Sequence, residues 1–270
     1  MAFKNLLLAL DGMTAFESSL AHAVKLARHY DGWLTCVFPK GPSFLDRFGG
    51  GLDANMHAML LGASNDALRV IEEAFNAAVA DAGLSGRAEF LDPDKTEDAR
   101  PGELARHFDM VITGLQTGDD QADNPDTLAL TSGRPVLVVP PDYRSEGLAE
   151  HALVAWDGKR SAARAIGDAM DVLEEKGRVT VLTIGTQKPS IPVDTGILRH
   201  LERHGIEATH IHKTGQGKSI ATEIEDTADE IDAKLIVMGA YEHSKFSQDL
   251  FGGVTHEVLR TARVPVFMAH

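Results

Sequence analysis

The sequence predicts an α/β fold built twice, each half a doubly wound domain around a parallel sheet. Three observations carry this expectation. Apolar runs of strand length alternate with segments whose apolar residues recur at helical spacing. The alternation stops at a polar stretch, residues 140–150, and then begins again. Pieces of the second half also spell out pieces of the first. LLLALDG at 6–12 answers ALVAWDG at 152–158, HFDMVITG at 107–114 answers EIDAKLIVMG at 230–239, and SGRPVLVVP at 132–140 answers TARVPVFMA at 261–269. The matched Asp, Gly and Pro positions lie 146, 125 and 130 residues apart, so the halves share a plan but not their insertions. A repeat of this size is a duplicated domain, not a solenoid. The expected domains are residues 1–142 and 150–270.

In chain order, residues 3–10 read as a buried strand ending at Asp11-Gly12. Phe16, Leu20, Ala23, Val24 and Ala27 follow at helical spacing, and Asp31-Gly32 stops that helix. Trp33 to Phe38 is a second strand. Residues 39–51 hold two prolines and four glycines and read as a surface loop. A long helix is expected over 53–83, a strand over 87–91, a helix over 102–107 and a strand over 110–113. A helix over 127–131 and a strand over 135–139 close the first half. The second half repeats the plan: strand 152–156, a helical stripe of Ala162, Ala163, Ile166, Met170 and Leu173, strand 179–184, helix 195–204, strand 206–212, helix 219–231, strand 235–238, helix 253–261 and strand 264–269. Strands alternating with helices imply a parallel sheet covered on both faces by right-handed crossovers.

Composition narrows the function classes. At 270 residues and 43% hydrophobic, the chain can bury a large core. The formal net charge of −14 disfavours nucleic acid and anionic lipid as main partners. The longest apolar runs are strand-sized, far short of the roughly 20 residues that span a bilayer. The start, MAFKNLLLALDG, reads as a strand and not as a signal peptide. Cys36 is the single cysteine, which excludes an intrachain disulfide and fits a reducing cytoplasm. Its setting, WLTCVF, reads as a buried structural thiol.

Residues 234–270 hold the most specific chemistry. An apolar strand closes at Gly239, and a loop follows. Then comes the pair Gly252-Gly253, and a helix opens on Val254-Thr255. Strand, glycine, loop, glycine pair, helix is an arrangement that turns backbone N–H groups toward a phosphate. Ligands of doubly wound sheets bind beyond the strand C-termini, where Asp11, Gly114, Asp157 and Gly239 fall.

With these residues, nearly the whole chain resembles a tandem universal stress protein. Nucleotide-binding members carry Gly, two residues, Gly, nine residues, then Gly-Ser/Thr. Here Gly239 and Gly252 match the first and third glycines, and Val254 and Thr255 match the residues that follow. Asp157 matches the aspartate that meets adenine or ribose. The resemblance implies an adenine nucleotide alpha hydrolase-like fold. Each domain would have five parallel strands in the order 3-2-1-4-5, and the fifth strands of the two domains would pair. It also implies a site for ATP or AMP, with Mg²⁺, and homodimers of whole chains. The departures are Glu242 at the second glycine and Gly253 at the Ser/Thr. A carboxylate ~4 Å from a phosphate at an effective dielectric near 20 repels it by about 4 kcal/mol. Lys245 would partly offset that charge. The first half has no Gly-Ser/Thr after Gly114, and instead carries Asp119, Asp120, Asp123 and Asp126, read as a solvated acidic loop.

His200 and His204 share a helix face, and His210 and His212 a strand face. No cysteine or HExxH accompanies them, and Arg199, Arg203 and Lys213 add repelling charge, so they read as surface histidines. Ser161 lies in no nucleophile elbow. The expectation is a cytoplasmic stress-response module that binds without catalysis, its second domain holding an adenine nucleotide. The alternatives are a nucleotide-free partner-binding scaffold and, last, a slow ATP hydrolase, for which no Walker-type lysine motif is present.

Overall fold

A computed structural model describes residues 3–10, 15–38, 54–91, 101–115, 125–144, 150–185, 191–215, 217–241 and 253–270. The first half runs β1 (Asn5–Ala9), α1 (Phe16–His29), β2 (Trp33–Val37), α2 (Ala54–Asp81), β3 (Ala88–Leu91), α3 (Pro101–Leu104), β4 (Met110–Gly114), α4 (Pro125–Thr131) and β5 (Val136–Val139). The second runs β6 (His151–Ala155), α5 (Arg160–Glu174), β7 (Arg178–Ile184), α6 (Arg199–Arg203), β8 (Ala208–Lys213), α7 (Ile220–Glu230), β9 (Leu235–Gly239), α8 (Val254–Thr261) and β10 (Val266–Ala269).

The strands form one ten-stranded sheet, ordered β3-β2-β1-β4-β5-β10-β9-β6-β7-β8. Each half is therefore a five-stranded parallel unit in the order 3-2-1-4-5. The fifth strands meet antiparallel within the chain, Phe267 opposite Leu137. The apolar runs have the lengths they have because both faces are covered: β4, β5 and β10 are buried at every residue. One face carries α1 and α5, packed on Leu6, Leu8, Ile112, Val154, Val237 and Phe267. The other carries α4, α7 and α8, packed on Leu7, Val111, Val136, Ile236 and Met268. Along α5 the buried residues Ala162, Ala165, Ile166, Ala169, Met170 and Leu173 keep the helical spacing. Cys36 is fully buried, and desolvation pushes its thiol up, away from reactivity.

Three helices differ from the sequence expectation. The segment expected as one helix over 102–107 splits into four α-helical residues and a 3₁₀ turn, Ala105–His107, before extended Phe108. The helix expected from 127 starts at Pro125, whose ring and missing N–H suit a first helical position. The helix expected over 195–204 opens with a π turn, Asp194–Leu198, which keeps Val193, Ile197 and Leu201 on the core. The Gly49–Gly51 loop lies outside the described residues.

Between α1 and α5, over the seam, lies a cavity of about 40 Å³ lined by His22, Tyr30, Tyr143, Glu175, Lys176 and Phe267 among others. That is room for water, not for a nucleotide, whose pockets run to several hundred Å³. The two helices are tied there: His29 Nε2 lies 2.7 Å from Glu175 Oε2, and the Tyr30 hydroxyl donates to the same oxygen at 3.3 Å. Burial, helped by the Lys25 and Lys176 charges, lowers the His22 pKa to about 4. Folding thus requires a neutral His22, while the unfolded chain takes up a proton near pH 6.5. The stabilisation is complete above that pH and is lost as pH falls toward 4. Between pH 7 and pH 5 this group alone should remove about 2 kcal/mol. Urea unfolding at both pH values should show that loss in the wild type and a smaller one in His22→Gln. Equal losses would refute the assignment.

Candidate functional site

Strands β6 and β9 lie side by side and parallel, Ala155 opposite Met238. The chain leaves β6 for α5 on one face and leaves β9 for α8 on the other. Their C-terminal ends are the point where the strand order reverses, the position where doubly wound sheets take ligands. Asp157 stands just past the end of β6. Its Oδ1 accepts the Lys159 backbone N–H at 3.0 Å and its Oδ2 lies 3.9 Å from Lys159 Nζ, with Gly158 between them at φ 78°. This is a turn closed by an aspartate side chain, half-exposed. The carboxylate keeps outward acceptor capacity after serving the turn. Lys159 and Arg160 place two cations at the start of α5, the helix end that favours anions.

Gly239 ends the neighbouring strand, β9. A Cβ there would stand 2.5 Å from the Ala162 backbone nitrogen and from Ser161 Oγ. The first turn of α5 packs directly on the strand, so only glycine fits. Gly114, its counterpart, is equally tight: a Cβ would meet the Ala15 Cβ at 2.5 Å. Both glycines are thus explained by helix-on-strand packing before any ligand is considered. Beyond Gly239, Tyr241 is held in the left-handed region at φ 41°, where a residue with a Cβ is strained. Its N–H donates to Thr255 Oγ1 at 3.4 Å.

Gly253 caps α8 with extended dihedrals and no side-chain cap, and a Cβ added to it would meet nothing within 4 Å. The Val254 and Thr255 amides open the helix and have no described acceptor; the helix cannot supply one to its first turn. Thr255 is buried and its hydroxyl oxygen accepts the Tyr241 N–H, so that side chain ties strand to helix. Gly252, Glu242, Lys245 and Asp11 lie outside the described residues. Among the described residues, no group of three or more His, Cys, Asp or Glu is arranged to hold a metal ion. His204 instead meets Glu174 at 3.1 Å, and His210 and His212 both meet Thr183 Oγ1, at 2.9 and 3.0 Å.

One sequence expectation needs correction. Asp126, read as part of a solvated acidic loop, is largely buried, its side chain 15% exposed. Its Oδ2 lies 3.5 Å from His256 Nδ1 on α8 of the other half. Burial first, then the nearby Asp126 carboxylate, push the Tyr241 phenol up, and the buried Tyr241 hydroxyl has no hydrogen-bond partner among the described residues. The helix that Pro125 starts carries Asp126 inward, and the seam brings α8 to it. Sequence reasoning missed Tyr241 and His256 because no local pattern marks a contact across so many residues.

Residues 149–270 match the family model described as Universal stress protein family. No curated protein matches the chain. Among solved structures, the chain is similar over 98% of its length, and 98% of the other's, to a universal stress protein from Archaeoglobus fulgidus DSM 4304, at 18% identity and a TM-score of 0.72. A functionally unknown protein from Pseudomonas aeruginosa PAO1 is similar over 98% of this chain and 92% of its own, at 16% identity and a TM-score of 0.53. A universal stress protein solved in complex with cAMP covers 45% of this chain and 96% of its own, at 22% identity and a TM-score of 0.35. Likeness at these identities is likeness of fold.

The packing makes a direct prediction. Gly239→Ala should cost about 2–3 kcal/mol, since the strand cannot move away from the backbone of α5. Gly253→Ala, with open space and φ −96°, should stay within about 0.5 kcal/mol. Paired urea titrations decide it; equal effects would contradict the packing account.

Proposed function

We propose, from the match of residues 149–270 to the universal stress protein family model, that this chain is a non-catalytic binding module of the stress response. Its second half takes an adenine nucleotide at the C-terminal ends of β6 and β9. One observation carries the reading: α8 opens at Gly253 without a side-chain cap, its Thr255 lies beside the end of β9, and the neighbouring strand β6 leads into Asp157. The amides and the helix dipole would hold phosphate. Asp157 would accept a hydrogen bond from ribose or base, and Lys159 and Arg160 add favourable charge. Gly239 would keep the floor of the site close and Gly252 would let the loop approach the phosphates. Mg²⁺ would enter with ATP as part of the ligand. A cytoplasmic location and homodimers of the whole chain belong to the same reading. Among the described residues, no helix is long and apolar enough to cross a membrane.

A second reading, a scaffold that binds protein partners and no nucleotide, is favoured by the engagement of the Asp157 and Thr255 side chains within their own turns. Calorimetric titration of the purified chain with ATP and AMP, with and without Mg²⁺, separates the two. The expected result is saturable binding at one site per chain, abolished by Gly252→Asp. Gly253→Ser should tighten it several-fold, because the open space accepts a hydroxyl that both caps the helix and donates to phosphate. Equal affinity for AMP and ATP would mean that base and ribose carry the binding. No heat at millimolar ATP would favour the scaffold. Steady Mg²⁺-dependent phosphate release would mark a slow hydrolase instead.

A further inference from the structure

We infer that Asp126 of the first half is a positioning residue for the nucleotide site of the second, an inference that rests on the nucleotide reading above. The seam is a local two-fold. Leu137 and Phe267 are equivalent in the repeat, 130 residues apart, and they stand directly opposite each other across β5 and β10. Residues equivalent at that spacing and close to the axis therefore approach one another across it. Asp126 and His256 are such a pair, near the start of α4 and α8. They meet at 3.5 Å, with side chains 15% and 19% exposed.

Asp126 reaches both described flanks of the candidate phosphate site. On one flank it contacts His256, in the first turn of α8, next to the Val254 and Thr255 amides. On the other its charge is felt at the Tyr241 hydroxyl, just past Gly239, a buried group with no hydrogen-bond partner among the described residues. Tyr241 is the strained residue, and Thr255 Oγ1 accepts its N–H. Strain of this kind persists only where surroundings impose it. Here the surroundings include a carboxylate from the other domain. Through His256, Asp126 holds the first turn of α8 and so sets where the helix amides point.

The sign of one substitution separates this role from that of a bystander charge. Asp126→Asn keeps the shape and removes a negative charge near an anion site. If the carboxylate acted only by repulsion, the variant would bind nucleotide more tightly. As a positioning residue, its loss should weaken ATP and AMP about tenfold and speed amide exchange in residues 253–257 by a similar factor, with exchange in β1 and β6 unchanged. The double variant Asp126→Asn/His256→Asn should lose no more affinity than the worse single, since both act through one contact. Unchanged or tighter binding in Asp126→Asn overturns the inference, as does weaker binding with exchange in 253–257 unaltered. A wild type that binds no nucleotide overturns the nucleotide reading and Asp126's role with it. The exchange measurement then still shows whether the contact holds α8.

Discussion

The antiparallel pairing of β5 with β10 is the constraint on which the rest depends. All other strand pairs among the described residues are parallel, and each half alone would end in an open edge at its fifth strand. Pairing the two edges makes one sheet and satisfies both rows of backbone groups. It also makes the apolar surfaces continuous: Leu137 and Phe267 lie in one cluster with α1 and α5, and Val136 and Met268 in the other with α4 and α8. The price is orientation. Because the central pair is antiparallel, the C-terminal ends of the two parallel units point in opposite directions along the strands. The candidate site at the ends of β6 and β9 thus lies on the opposite side from its counterpart, and the first half approaches it through α4, near the axis.

Much of this was legible in the sequence, for a physical reason. Strands buried on both faces must be continuous apolar runs, and the helices over them must repeat at 3.6 residues; both patterns are local. Repetition of the pattern gave the duplication. Strand order was not legible in that way, since nothing in β1 says that it lies between β2 and β4; it came from the resemblance. Gly239 was read as a nucleotide glycine. The structure supplies a second reason that a one-dimensional pattern cannot hold, the backbone of α5 at 2.5 Å from where its Cβ would be.

Asp126 was misread for the converse reason. It follows three aspartates in a polar stretch, and charge in such company is usually solvated. What removes it from water is a helix starting at Pro125 and a partner 130 residues later, neither of which leaves a mark in its neighbourhood. The groups around His22 were hidden likewise: Lys176 and Glu175 come from the other half. Local pattern reports what each element buries, whereas contacts at the seam depend on how two complete sheets are joined.

Duplication within one chain makes the Asp126–His256 contact possible. Near a two-fold, a homodimer of identical domains sets each axial residue against its own copy. Two carboxylates at the 3.5 Å seen here would repel by about 5 kcal/mol at an effective dielectric of 20, and two histidines would lose the pair on protonation. Fusion lifts that restriction, because the two sides can then carry different residues. One half can keep glycines and an open helix end while the other supplies the charge that holds them. Asymmetry of that kind is closed to a homodimer of identical domains and open to a fused pair, in which the half without a matching loop can act at the site of its neighbour.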